Sequence, residues 1–291
     1  MGDFMAAEIK RPTTYEEQID ILRNRGCFIS DEAFCKIILS SVNYYRLSAY
    51  FLPFRNQDGS YIPGTSFHQV YRIYEFDRKL RGILFSAIEE IEIFLRTKLT
   101  YCHSHKYGAT GYLDPETFSA KHNHEKFTAS LTREITSNDK SLFVRHHIEK
   151  YEGTFPLWAA TELFTFGMLS YFFSDLKISD QNTIANEYFD TSRQNISSWL
   201  RCCTDLRNIC AHYGRLYFRI FPAIPAGIQI SPAVARRLWG QMLVLRNLFP
   251  DREKWNREVL PALESLLEEY RGDISLYHIA FPSNWDSTLR K

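Results

Sequence analysis

Arg207 and His212 stand five positions apart in the segment Trp199-Leu200-Arg201-Cys202-Cys203-Thr204-Asp205-Leu206-Arg207-Asn208-Ile209-Cys210-Ala211-His212-Tyr213-Gly214-Arg215. At about 100° per residue, Ile196, Trp199, Leu200, Cys203, Leu206 and Cys210 fall on one apolar stripe. The segment therefore reads as a helix from about Gln194 to His212, stopped at Gly214. Arg207 falls inside that stripe. A guanidinium keeps its proton, so one aimed at a core or an interface needs a carboxylate or an anion beside it. His212 lies about 140° round the wheel from Arg207, on the side of Asp205 and Asn208. It sits in the last turn, where the negative end of the helix dipole favours imidazolium. An imidazole titrates near neutrality and suits proton transfer.

Such a pair fits RNA cleavage without a metal. The 2′-hydroxyl attacks the adjacent phosphorus and the 5′-oxygen leaves, which requires a proton carrier and a cation for the charged phosphorane. His212 fills the first role and Arg207 the second. Asn208 can orient His212 or hold a phosphate oxygen. One helix offers only one histidine for two proton transfers, so a two-fold homodimer that joins two copies at one interface is expected. The alternative is a non-catalytic RNA-binding or protein-interaction module, with Arg207 in a structural ion pair and His212 as a cap. Catalysis needs both residues on one solvent-reachable cleft; a scaffold needs Arg207 buried against Glu162.

Glu162 interrupts the apolar run Leu157-Trp158-Ala159-Ala160-Thr161-Glu162-Leu163-Phe164. A carboxylate buried there needs an arginine or several donors, and Arg207 is one candidate. Glu162 and Asp205 are expected behind the reacting atoms rather than at them. Arg215, Tyr217 and Arg219 follow the helix, and cations interleaved with a ring suit a single-stranded RNA path, although capping and surface roles fit equally. From Arg193 to Phe249 there are eight arginines, no lysine and one acid, Asp205. Arginine offers an oxyanion a planar fork that lysine lacks. The pairs His103/His105 and His122/His124 lack a Cys or acid at ligand spacing, so they read as loop histidines and no metal is expected. Nothing resembles a phosphate-binding glycine loop, and no cofactor is expected.

The elements that must position these groups are helical. Periodic apolar positions Val70, Ile73, Leu80, Leu84, Ala87, Ile91, Leu95 and Leu99 predict a long helix over about 66–103, the spine of a bundle. A tail over 1–12 precedes helices at about 15–24 and from after Ser30 to about 42; a loop or hairpin is expected over 53–64 and a loop over 104–121. Further helices are expected at 122–137, 141–152, 157–174, 180–189, 232–248 and 253–271. The fold class is all-α. Three segments follow: an N-terminal helical cap over 13–65, a core over 66–221 and a C-terminal helical extension over 222–291. The chain has 291 residues, 45% apolar and 24% charged, with a net charge of +1, so no global field favours nucleic acid or membrane. Its six cysteines follow no disulfide or zinc-ribbon spacing. With no apolar run of spanning length and no signal peptide, a cytoplasmic protein with reduced thiols and no membrane partner is expected.

Arg207-Asn208-Ile209-Cys210-Ala211-His212 resembles the Arg-x-x-x-x-His motif of HEPN ribonucleases. More widely, residues 13–220 resemble the Abi-like family of phage abortive-infection proteins, the AbiD and AbiF kind, a HEPN branch. The resemblance is carried by the run Asn43 to Tyr50, by Phe76-Asp77-Arg78-Lys79-Leu80-Arg81 and by Ile91-Glu92-Ile93-Phe94-Leu95-Arg96. It continues in Pro156-Leu157-Trp158 with Glu162-Leu163 and Phe166-Gly167, and in Leu206 to Leu216. It implies a HEPN-like helical core, RNA cleavage by Arg207 and His212 with Asn208 in support, and a role in antiphage defence or a toxin system. RNA is then the substrate, with a regulatory small RNA or an antitoxin as further partners. Some HEPN toxins carry a tyrosine two residues after the histidine for modification by a partner enzyme. Here that position is Gly214, and Tyr213 follows His212 directly, which puts such control in doubt.

Overall fold

The computed structural model describes residues 9 and 11–290; the tail expected over 1–12 lies mostly outside the described residues. Among these the chain is helical, with isolated bridges such as Phe28 to Ser66 in place of any strand. The N-terminal part holds α1 (Tyr15–Asn24), α2 (Glu32–Ser41) and α3 (Tyr44–Ser48). Each starts on a residue that accepts an otherwise orphaned amide: Thr14 in a capping box with Glu17, then Asp31, then Asn43.

Helix α4 (Phe67–Tyr107) is the spine, 41 residues and about 60 Å long at 1.5 Å per residue. Its predicted stripe from Val70 to Leu99 is buried, no member more than 1% exposed. The helix outruns the sequence-based boundary because no breaker occurs until Gly108, whose φ of 84° ends it. His103 and His105 are therefore helical, not loop residues, and His103 is buried.

There follow α5 (His124–Ser137), α6 (Leu142–Lys150), α7 (Leu157–Ala160), α8 (Phe166–Asp175), α9 (Ile178–Phe189) and α10 (Arg193–Ala211). The expected single helix over 157–174 is two helices. After a 3-10 turn at Thr161–Leu163, Thr165 leaves helical geometry and caps α8 by accepting the amide of Met168. The Arg96 guanidinium takes the carbonyls of Thr161 and Phe164, which lets the chain break there without stranding them. The C-terminal part comprises α11 (Pro232–Ala235), α12 (Leu238–Leu248), α13 (Arg252–Lys254), a π turn at Trp255–Val259, α14 (Leu260–Glu269) and α15 (Trp285–Arg290). The expected helix over 232–248 is likewise split. Gly240 packs so close on the break that an added Cβ would lie 2.2 Å from the Ala235 carbonyl oxygen.

Helix α10 sits among α4, α8, α9 and α12. Ser192 caps its start, and Ile196, Trp199, Leu200, Cys202, Cys203, Leu206 and Cys210 are its buried face. All six cysteines are free thiols. Among the described residues no helix is long and apolar enough to cross a membrane.

Candidate functional site

The end of α10 is a tightly bonded turn. The amide of His212 donates to Asn208 O (3.0 Å), that of Tyr213 to Cys210 O (3.2 Å) and that of Gly214 to Ile209 O (2.7 Å). This is the Schellman pattern, with His212 as C-cap and Tyr213 in the left-handed position at φ 57°. Glycine usually occupies that position; here it comes one residue later. A Cβ on Gly214 would stand 3.0 Å from the Ile209 Cγ2 and 3.2 Å from its carbonyl oxygen. His212 itself is exposed.

Residues from the N-terminal third pin this turn from behind. Arg46 donates to Tyr213 O (2.7 Å) and Arg81 to Gly214 O (3.2 Å). The Asp77 carboxylate is fully buried and accepts four donors: Arg81 Nη1 (2.7 Å), the Tyr50 hydroxyl (2.7 Å) and the amides of Leu216 (3.1 Å) and Tyr217 (2.7 Å). Burial pushes the Asp77 carboxyl above its ordinary range, while Arg81, Tyr50 and the two amides pull it back. Arg215 donates to Ala49 O (2.8 Å) and closes the same clamp.

Arg207 lies one and a half turns earlier and is half-buried. Its guanidinium stands 5.9 Å from the centre of the Phe85 ring, and its Nε is buried without a partner. It lines a groove of about 290 Å³ floored by α4 through Phe85, Ile88, Glu89, Glu92, Ile93 and Arg96. His212 is not among the lining residues of that groove. Glu162 does not meet Arg207. It is exposed on a second groove, about 460 Å³, which shares Ile93 and Arg96 with the first and continues to Trp158 and Tyr101. The 3-10 turn at Thr161–Leu163 keeps Thr161 and Leu163 inside and Glu162 outside, which a continuous helix would not have done. Glu92, not Glu162, is the acid paired with a groove arginine, Arg96.

Of the remaining predicted residues, Asn208 is exposed beside His212, and Asp205 is half-buried. Burial pushes the Asp205 carboxyl up, against Arg201 and Arg219, which lower it. Arg215 and Arg219 are half-buried. Tyr217, expected to offer its ring to RNA, is 1% exposed; its hydroxyl bonds His278 Nδ1 at 2.7 Å and accepts the Ser275 amide. The Asp77 clamp draws the backbone of Tyr217 inward, and the ring follows. Among the described residues no three His, Cys, Asp or Glu side chains converge as a metal site. The His122 nitrogens face Asp175 (3.0 Å) and His124 (3.2 Å).

Asp77, Arg81 and Arg96 are residues that chemical reasoning from the sequence did not single out, and Arg46 stood out only within the polar and aromatic run that begins at Asn43. The segments that hold them meet in pairs: Asn43–Tyr50 and Phe76–Arg81 close on Leu206–Leu216, and Ile91–Arg96 closes on the Thr161–Phe164 break.

The described chain is thus an all-helical protein with a half-buried, unpaired arginine and a capping histidine at the pinned end of its central helix. The Abi-like protein family matches residues 37–218, a span that includes this helix and its clamp, and the chain belongs to that family. Neither a curated protein nor a solved structure matches the chain.

Proposed function

We propose that this protein is a HEPN-type, metal-independent endoribonuclease acting in bacterial antiphage abortive infection or in a toxin system, with Arg207 and His212 as catalytic residues and Asn208 in support. Membership of the Abi-like family favours the abortive-infection role. The observation that carries the chemistry is the state of Arg207: half-buried, beside a groove, its Nε unpartnered, and no carboxylate in ion-pair contact. The scaffold alternative called for Glu162 against Arg207, and Glu162 is exposed on the neighbouring groove; His212 lies outside the Arg207 groove of its own chain, so the single cleft that catalysis needs is one that a second copy completes.

In the reaction the ribose 2′-oxygen bonds to phosphorus, and its proton passes to one His212. The bond from phosphorus to the 5′-oxygen breaks, and the leaving oxygen takes a proton from a second His212 across a two-fold dimer. The products are a 2′,3′-cyclic phosphate and a 5′-hydroxyl. Arg207 balances the charge of the phosphorane between them. The clamp through Asp77 and Arg46 fixes the turn that carries His212, so the imidazole is presented from rigid backbone. RNA is the substrate, and an antitoxin or small RNA is the restraint that a host needs.

The test is purified protein with EDTA on total cellular RNA, beside Arg207→Ala and His212→Ala. Wild-type cutting with cyclic-phosphate ends and a loss of at least about 100-fold in each variant is the expected result. Equal cutting by all three removes the assignment of both residues.

A further inference from the structure

Among the described residues, none of the eight arginines between Arg193 and Phe249 forms an ion pair with a carboxylate, although arginines elsewhere do so repeatedly. Three of the eight, Arg207, Arg219 and Arg246, have a buried Nε without a partner. A guanidinium without a carboxylate in contact keeps donors that an oxyanion can take.

Several of these cations converge just past the pinned turn. The amide of Phe221 donates to Arg236 O (2.8 Å), which lays residues 218–221 against the start of α12. The Arg237 guanidinium stands 5.0 Å over the Phe218 ring, and that of Arg219 stands 6.0 Å over the Phe221 ring. Arg219 also donates to Arg215 O (3.2 Å), and Arg237 to His278 O (2.9 Å), so both are held by the backbone and keep other donors free. Arg236 is exposed beside them. Phe218 has a φ of 55°, a costly conformation for a bulky side chain that the surrounding contacts hold in place. Arg236 and Arg237 lie beyond the span matched by the family.

We propose that Arg219, Arg236 and Arg237, flanked by Arg215, form a ledge that binds the phosphodiester backbone of a single RNA strand beside the cleaved bond. The inference rests on the nuclease reading for the identity of the strand, not for the existence of the site. The C-terminal extension then has a task of its own: it supplies two of the cations that hold the substrate. The ledge is placed for a strand leaving the His212 turn, since its first residue, Arg215, is three positions past that histidine. The contacts read phosphate, not base, so affinity for different sequences is similar and strongly dependent on salt.

Binding is measured on the full chain carrying His212→Ala, so that RNA stays intact and a failure of the nuclease reading leaves this experiment interpretable. The probe is a labelled single-stranded oligoribonucleotide, followed by anisotropy across a salt series. Each lost phosphate contact lowers the slope of log K against log salt by about 0.7 for a single strand. Arg219→Ala with Arg237→Ala is expected to lower the slope by about 1.4 and to weaken binding about 10-fold near physiological salt. Arg236→Glu, an exposed change that spares the core, is expected to weaken binding at least as much as one lost contact. Arg145→Ala, an exposed arginine paired with Glu149, is the control and leaves binding unchanged. Unchanged affinity and slope in the Arg219, Arg236 and Arg237 variants overturn the ledge, as does a His212→Ala background that binds no RNA. Loss of binding to phosphatidylserine vesicles in these variants, with RNA binding intact, overturns it in favour of a lipid surface.

Discussion

Replacing Asp77 by Ala is expected to loosen the end of α10 more than any change at the surface of the site. The carboxylate is 0% exposed and serves Arg81, Tyr50 and the amides of Leu216 and Tyr217. Its removal leaves two buried amides without acceptors, at about 1–3 kcal/mol each before relaxation. It also leaves Arg81, 6% exposed, as a buried cation facing only the Gly214 carbonyl and Tyr50. Breaking a buried pair on one side costs about 3–5 kcal/mol. These costs overlap, because water admitted to one group reaches the others, so the expected total is about 4–5 kcal/mol. Urea denaturation measures it, and hydrogen exchange locates it: the amides of Leu216 and Tyr217 lose protection first. Adding Arg81→Met to Asp77→Ala is expected to recover about 1–2 kcal/mol by removing the unpaired charge. A loss below about 1 kcal/mol, with both amides still protected, refutes the clamp as the support of the turn.

Two further outcomes follow from local chemistry. Tyr213, 68% exposed, pays for a left-handed backbone with few contacts; Tyr213→Gly is expected to raise stability by about 1 kcal/mol in urea, and a loss of that size contradicts the strain argument. His103 is 2% exposed with both ring nitrogens unpartnered, and burial pushes its imidazole down to about 4 from 6.5. The unfolded chain therefore binds this proton more readily, so the stability held by the neutral ring is whole above pH 6.5 and is lost as pH falls towards 4. The loss is on the order of 3 kcal/mol. His103→Phe, among the rings of Phe118 and Phe172, is expected to flatten that decline, read as urea midpoints near neutral and mildly acid pH; parallel declines in both proteins would sink the idea.

The helices that sequence reasoning placed well are locally determined: α4 carries a long period-3.6 stripe, and α1, α2, α5 and α10 start on residues that cap them, Thr14, Asp31, Asn123 and Ser192. Arg207 was legible because a cation inside an apolar stripe is out of pattern. What escaped notice depends on partners far along the chain. The break at Phe164 was hidden because the arginine that satisfies its carbonyls sits on α4, 68 residues earlier. Asp77 and Arg81, four apart, have the spacing of any surface pair on a helix; only the chain folded over them makes the pair buried. Tyr217 misled because Arg215, Tyr217 and Arg219 alternate as an RNA strap would, whereas two amides anchored on Asp77 turn the middle residue into the core. Glu162 misled because the run around it implied one helix and a buried face.

The span of the clamp also bears on how the chain is made. Arg46 reaches Tyr213 across 167 residues, and Asp77 reaches Tyr217 across 140. A ribosome delivers the N-terminal half of this clamp long before the segment it grips, at about 5–20 residues per second. Until residue 217 has emerged, no native partner exists for those amide contacts, and α10 ends in an unanchored stub. The working end of the central helix is thus assembled late, after α4, α8 and α9 have been made and before α12, which also packs against it. Nascent and prematurely terminated chains lack the finished turn, so a cell that synthesises this protein meets it in its competent form only once translation has passed through the site.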